Sequence, residues 1–246
     1  GTTREIWNAC PDLIIHCAAF TKVDLAETSE EKAFAVNAYG TENVALACAK
    51  LKIPMLYMGT EAVFNGEKDT PYTTWDRPSP ISVYGASKLA GEVAVQRHLN
   101  EFYILRTNLI YGAGRSNFAT QAITQCVDNK EDKILEFPVI EQRCSPTYVI
   151  DLAMIISKLI ETKRWGIYHY TNAGRASRRQ IVSFIGDYFN MKYDTPPYTG
   201  CIAPRGRNSL LDCSLVEKVI SGPFPHWQSS LKEFIDEQSS NSSVLL

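Results

Sequence analysis

Nothing in this 246-residue chain is apolar over a length that spans a bilayer, and no signal peptide is readable, so no membrane partner is expected. Charge of one sign is not in excess either: 25 Lys and Arg stand against 27 Asp and Glu. That balance lacks the basic footprint of a nucleic-acid binder. The seven cysteines (Cys10, Cys17, Cys48, Cys126, Cys144, Cys201 and Cys213) include no C-x-x-C pair, and His16, His98, His169 and His226 have no metal-ligand spacing. Neither a redox motif nor a metal site is expected. An odd number of cysteines scattered through apolar segments suggests reduced, mostly buried thiols and a cytoplasmic location. Internal repeats, low-complexity blocks and an evident interdomain linker are absent. Also lacking ahead of Asp12 is any G-x-G-x-x-G or G-x-x-G-x-x-G, the turn whose backbone approaches a pyrophosphate at a helix N-terminus.

What is present begins with a hydrophobic content of 45%, enough for a sizeable core. Up to Gly112, strands alternate with helices: residues 12–17, 54–58 and 102–107 read as strands, 28–51 and 84–99 as helices. Such alternation implies a parallel sheet. The first helix opens with Thr28-x-x-Glu31, a capping-box pattern. Its inward stripe is Ala33, Asn37, Gly40, Val44, Ala47 and Leu51, spaced by four and three. Asn37 is the odd member, because a buried amide needs partners; tying the helix to a strand is preferred to a direct part in chemistry. Beyond Gly112 the pattern becomes irregular, with helices near 117–127, 150–161, 178–189, 214–220 and 227–235. Strands are expected near 133–137 and 166–171, the latter returning to the main sheet. The Ser-rich residues 238–246 are expected to fray.

The chemistry centres on the run from Val83 to Glu92, which holds Tyr84 and Lys88. Four residues apart at a helix start, their side chains share one face and reach the same small volume. An ammonium beside a phenol favours the phenolate, so Tyr84 is expected to titrate below its ordinary value of about 10. Such a group can exchange a proton with a carbonyl or an alcohol. A Tyr-x-x-x-Lys pair alone often arises by chance on a solvated helix face. Here Gly59-Thr60-Glu61 follows the strand ending at Met58, and catalytic groups in open parallel sheets gather beyond strand carboxyl ends. Thr60 is thus placed to offer a hydroxyl to the same oxygen. Ala18-Ala19-Phe20, after the first strand, is either a tight turn or a place where a cofactor lies against the backbone. Arg106 is read as a surface cation or as a binding or bracing residue on the cleft rim.

With these residues the chain resembles the extended short-chain dehydrogenase/reductase superfamily, and within it the dTDP-4-dehydrorhamnose reductase branch. The matching stretches are residues 11–24, 36–43, 59–66, 80–92, 105–112, 142–151, 166–172 and 205–212. The likeness runs from about Thr3 to about Phe234. It implies a Rossmann-type doubly wound parallel α/β sheet. Residues 1–112 would be the remaining dinucleotide-binding part, 113–237 a smaller sugar-nucleotide lobe, and 238–246 a tail. It places Gly1-Thr2-Thr3 at the end of a family strand and implies that roughly fifty residues with the Gly-rich turn are absent ahead of it. It further implies NADPH or NADH as cofactor, Tyr84, Lys88 and Thr60 as catalytic residues, and Ala18, Ala19, Phe20, Tyr84 and Lys88 against the cofactor. Thr60, Glu61, Leu109 and Arg205 would face a nucleotide-sugar substrate; a homodimer is a further expectation. Departures bear on the sugar. Glu61-Ala62 stands where the reductases carry Asp-Tyr, Leu109 where they carry Trp, and Gly206 where a Pro follows the arginine. A keto-sugar other than dTDP-4-dehydrorhamnose is therefore open. So are a non-catalytic role like that of the methionine adenosyltransferase beta subunit and an epimerase or dehydratase relative.

Overall fold

The structure, a computed structural model, describes residues 2–128 and 134–240. Helix α1 (Thr2–Ala9) precedes strand β1 (Ile14–His16); α2 (Val23–Thr28), α3 (Glu30–Phe34), a π-helical turn (Ala35–Gly40) and α4 (Thr41–Leu51) lead to β2 (Met55–Thr60). Helix α5 (Val83–His98) leads to β3 (Phe102–Thr107), and after α6 (Phe118–Asp128), α7 (Val149–Glu161) leads to β4 (Gly166–His169). The chain closes with α8 (Arg178–Tyr188), α9 (Ser214–Ile220) and α10 (Trp227–Ser240). Strands β1 to β4 pair in that order, all parallel, with Ile15 opposite Leu56, Tyr57 opposite Ile104, and Leu105 opposite Tyr168.

Alternation along β2 explains why helices cover both faces. Met55 and Tyr57 pack with Ala45, Cys48, Val95 and Ile104 beneath α4 and α5. Leu56 points the other way, onto Tyr103, Leu105, Leu152, Leu159 and Val216 under α7 and α9. A strand buried on both sides reads as a continuous apolar run, as this one does. The second lobe has its own core, in which Ile123, Leu135, Tyr148, Ile181, Ile185, Leu231 and Phe234 meet. Short two-stranded pairs frame it, joining residues 110–111 to 147–148, 134–136 to 192–194, and 143–144 to 176–177. The architecture is the doubly wound parallel α/β sheet with a smaller lobe. No helix among the described residues is long and apolar enough to cross a membrane.

Several local expectations are corrected. Thr2 and Thr3 open a helix rather than ending a strand. The capping box at Thr28 does not form: Thr28 ends α2, and Ser29 stands at the N-terminus of α3 without a side-chain capping bond. The inward stripe also departs from its predicted phase. Ala33, Asn37 and Ala47 are buried as expected, but Ala38, Thr41, Ala45 and Cys48 also belong to the buried face, while Gly40, Val44 and Leu51 are only half-buried. A π turn inserts one extra residue per turn and rotates the helix beyond it, so strict four-and-three spacing loses register there. Of the seven free thiols only Cys48, Cys126 and Cys144 are buried; Cys10 and Cys17 are exposed. Helix α10 runs on through Gln238 to Ser240, and 241–246, like Lys133 of the predicted 133–137 strand, lie outside the described residues.

Candidate active site

The helix carrying Tyr84 starts where its sequence dictates. Ser82 adopts extended backbone angles and its hydroxyl accepts the Gly85 N–H at 3.1 Å, an N-cap immediately before the first helical turn. Gly85 is required by proximity: a Cβ there would lie 2.1 Å from the Ala62 carbonyl oxygen. Helix α5 therefore presses directly on the turn that follows Thr60. Lys88, one turn on, is buried and donates to the Met58 carbonyl at 2.8 Å. Its ammonium also lies 4.0 Å from the centre of the Tyr57 ring. Together these contacts pin α5 to the carboxyl end of β2.

Tyr84 and Lys88 line one cleft of about 530 Å³ with Cys17, Ala19 and Gly59, floored by Leu152 of α7. Thr60 stands beside it, its hydroxyl donating to Glu61 Oε2 at 2.8 Å and accepting the Ala62 N–H at 3.2 Å. Burial is the main electrostatic force here. It pushes the Tyr84 phenol well above its ordinary value, the Glu61 carboxylate adds to the rise, and a hydrogen bond with Thr60 opposes it. Burial likewise raises Glu61, against the Thr60 hydrogen bond. Burial lowers Lys88 to about 8, against the attraction of Glu92 and Cys17. The expectation that Lys88 draws the phenol downward is thus corrected. The ammonium is engaged by the Met58 carbonyl and the Tyr57 face, while a carboxylate is the charge that Tyr84 feels. The arrangement holds a proton on the phenol and a cation beside it.

The remaining sequence-predicted positions fall in three places. Ala19 lines the cleft, and Ala18 is exposed and is not among the residues lining it. The Phe20 backbone is held from both sides by Asn37, whose Oδ1 accepts the Phe20 N–H at 2.7 Å and whose Nδ2 donates to the Phe20 carbonyl at 3.1 Å. Asn37 Nδ2 also donates to Ser87 Oγ at 3.0 Å, so one buried amide ties the loop after β1 to α5. Leu109 is not on the cleft wall. It sits half-buried against the core of the second lobe, in a left-handed conformation (φ 41°) that a leucine adopts only under strain. Arg205 extends to Asp24 Oδ2 at 3.1 Å, while Asp24 Oδ1 accepts the N–H groups of Ile202 and Ala203. Gly206 in place of a proline has a steric reason. A Cβ there would fall 2.5 Å from Asn65 O, and Gly66 (φ 74°) crosses it as closely.

Arg106 is a bracing residue. It is buried with Glu92 of α5, donating to the carboxylate at 2.6, 3.0 and 3.2 Å. Asp24, Gln142 and Arg178 also converge on the second lobe's side of the site, from segments far apart in sequence. Asp24 and Gln142 lie inside the stretches 11–24 and 142–151 that carry the resemblance, whereas Arg178 lies in none of them.

Residues 2–240 match the family described as RmlD substrate binding domain. The chain is 31% identical to the dTDP-4-dehydrorhamnose reductase of Sinorhizobium fredii, over 94% of this chain and 82% of that protein. It is 32% identical to the spore coat polysaccharide biosynthesis protein SpsK of Bacillus subtilis, over 94% and 81%. A dTDP-4-dehydrorhamnose reductase from Bacillus anthracis, solved in complex with NADP, superposes with a TM-score of 0.89 at 34% identity, covering 96% of this chain and 84% of that one. On sequence and fold together, this chain belongs to the RmlD substrate binding domain family.

Proposed function

We propose that this protein reduces the keto carbon of a nucleotide-linked 4-keto-6-deoxy sugar of the dTDP-4-dehydrorhamnose type, with NADPH or NADH as reductant. The convergence of Thr60, Tyr84 and Lys88 at the carboxyl end of β2 carries the reading. The likeness to reductases in sequence and to an NADP complex in structure supports it. The cleft fits a nicotinamide: the small Ala19 leaves its wall clear, Asn37 fixes the Phe20 backbone, and Lys88 supplies a cation. When bound, the reduced cofactor supplies hydride. Tyr84, protonated at neutral pH, donates its proton to the carbonyl oxygen, and the Thr60 hydroxyl turns its one proton from Glu61 to the same oxygen when substrate binds. Lys88, anchored by the Met58 carbonyl, keeps its ammonium on the cofactor side of the cleft. Glu61 orients the Thr60 hydroxyl, and Arg205 contacts the nucleotide end of the substrate. Leu109 acts on the sugar side through the strained turn it occupies rather than as an open wall.

An intact Thr60–Tyr84–Lys88 constellation favours catalysis over a purely regulatory role. A cytoplasmic setting and a homodimer complete the proposal; light scattering tests the latter. The activity is tested on protein made from its full coding sequence, mixed with NADPH or NADH and a panel of nucleotide keto-sugars. Consumption of reduced nicotinamide matched by appearance of the alcohol is expected. No turnover with any keto-sugar and either cofactor would sink the proposal.

A further inference from the structure

Arg178 opens α8 just after Ser177, whose hydroxyl forms a complete capping box with Gln180. The guanidinium lies 5.1 Å from the centre of the Phe118 ring. One Nη2–H donates to Gln142 Oε1 at the long distance of 3.5 Å, and the buried Nε has no partner among the described residues. A guanidinium has five N–H donors in a fixed fork. No carboxylate of the described residues stands within ion-pair distance of this one, although Arg106, Arg143, Arg179 and Arg205 each reach one. A partly desolvated cation with spare donors calls for an anionic acceptor.

Its surroundings say where that acceptor lies. Gln142 Nε2 donates to the Gly206 carbonyl at 2.9 Å, so a single amide links Arg178 to the segment that carries Arg205. Burial first, and then the charge of Arg205, disfavour the charge of Arg178, and Glu61, beside Thr60, lies within its field. Burial pushes the Glu61 carboxyl up and weakens it as a counter-ion. Arg205 is held by Asp24, whereas Arg178, linked through Gln142 to the segment that carries Arg205, has only the long bond to that amide. A phosphate fits this geometry, since its oxygens accept bidentate donation and its charge relieves the repulsion.

We infer that Arg178, held by Gln142 and backed by Phe118, is a second arm of the diphosphate site for the nucleotide-linked substrate, opposite Arg205. This rests on the reading that the substrate is a nucleotide sugar. The test is calorimetric titration of the full protein with dTDP and, separately, with thymidine. Arg178→Gln should weaken dTDP binding about ten- to a hundredfold, the loss of one or two charge-assisted hydrogen bonds, and leave thymidine binding unchanged. Arg178→Lys should recover part of the loss, because a point charge replaces the fork. Gln142→Leu, which frees Arg178 without removing its charge, should weaken dTDP by a smaller factor. If the Gln variant does not fold, the Lys and Leu variants decide on the same readout. Unchanged dTDP affinity in the folded variants overturns the inference, as does an equal loss for thymidine or a wild type that does not bind dTDP. Keto-sugar turnover, measured in parallel, separates the two readings. Turnover with dTDP affinity indifferent to Arg178 removes this site alone. An Arg178-dependent dTDP affinity without turnover keeps the site and removes the reduction.

Discussion

Removing one member of the Glu92–Arg106 pair should be the most damaging single change at the rear of the site. Glu92 is 0% and Arg106 2% exposed, and three N–O contacts between 2.6 and 3.2 Å join them. Arg106 lies opposite Gly59 in the β2–β3 register and is 5.1 Å from the Phe64 ring centre. His169 completes the surroundings: its Nδ1 lies 3.0 Å from the Tyr72 carbonyl and its Nε2 3.4 Å from Arg106 Nη1. That geometry suits a neutral ring donating through Nδ1 and accepting at Nε2. In Arg106→Met, Glu92 would lose its ion-pair partner in a dry site, and the other cation within its field, Lys88, is bonded to the Met58 carbonyl. Breaking a buried pair from one side costs ~3–5 kcal/mol. At about 2–4 °C per kcal/mol for a chain of this size, the Tm should fall by about 6–20 °C. The double variant Glu92→Leu with Arg106→Met removes both charges and should regain most of that loss, because an intact buried pair is itself close to neutral against apolar packing. Thermal melts and urea unfolding of the two single variants and the double supply the cycle. An Arg106→Met cost below ~1 kcal/mol, or a double variant no better than the worse single, would refute the claim that the pair is dry and mutually dependent.

Tyr84→Phe should lower kcat by at least ~10²-fold with little change in cofactor affinity, checked by steady-state kinetics and a binding titration; near-normal turnover would remove Tyr84 as the acid. Lys88 titrates at about 8 in the fold against an ordinary 10.5, so activity that uses its ammonium should decline as pH rises through about 8. The same depression makes Lys88 costly to bury. The unfolded chain keeps this proton up to 10.5, so stability should rise between about 8 and 10.5 and Lys88→Met should flatten that rise while abolishing turnover. His169 is held near 3 against 6.5, by burial first and Arg106 second, so the unfolded chain takes up its proton first as pH falls. Stability should therefore drop from pH 6.5 towards 3, and a His169→Asn variant should show a shallower acid limb in urea unfolding.

The parts of the fold that were legible in the sequence are those set by local chemistry. The apolar run at 55–58 could only be a strand covered on both faces, and the α5 face bearing Tyr84 and Lys88 is fixed by helical spacing once Ser82 caps it. Reading failed where one residue changes the phase or where the partner lies across the chain. The π turn at 35–40 turned the stripe from Val44 towards Thr41 and Ala45, and no residue type announces such an insertion. Thr28 and Glu31 have the letters of a capping box, but Thr28 belongs to the preceding helix. Gln142, Arg178 and Gly206 meet only because two loops and the start of α8 return to one place, an arrangement with no signature in spacing.

The charge state of Tyr84 shows what spacing leaves open. Four residues of helix bring a phenol and an ammonium to one face, but the dielectric and the third parties determine the direction of the shift. Lys88 has an acceptor in the Met58 carbonyl and an aromatic face in Tyr57, while Tyr84 has the half-buried carboxylate of Glu61 as its electrostatic neighbour. Both effects keep the phenol protonated. A phenolate at neutral pH would serve as a base and suit alcohol oxidation; a retained proton suits delivery to a carbonyl oxygen as hydride arrives at carbon. Glu61 therefore contributes to the direction of the chemistry as well as to the orientation of Thr60. Glu61→Gln, which keeps a side chain able to accept from Thr60 but removes the charge, should lower the phenol pKa. The ratio of reduction to reverse oxidation rates, measured at fixed pH with saturating substrates, should then shift towards oxidation. A ratio that does not move would show that burial alone holds the proton on Tyr84.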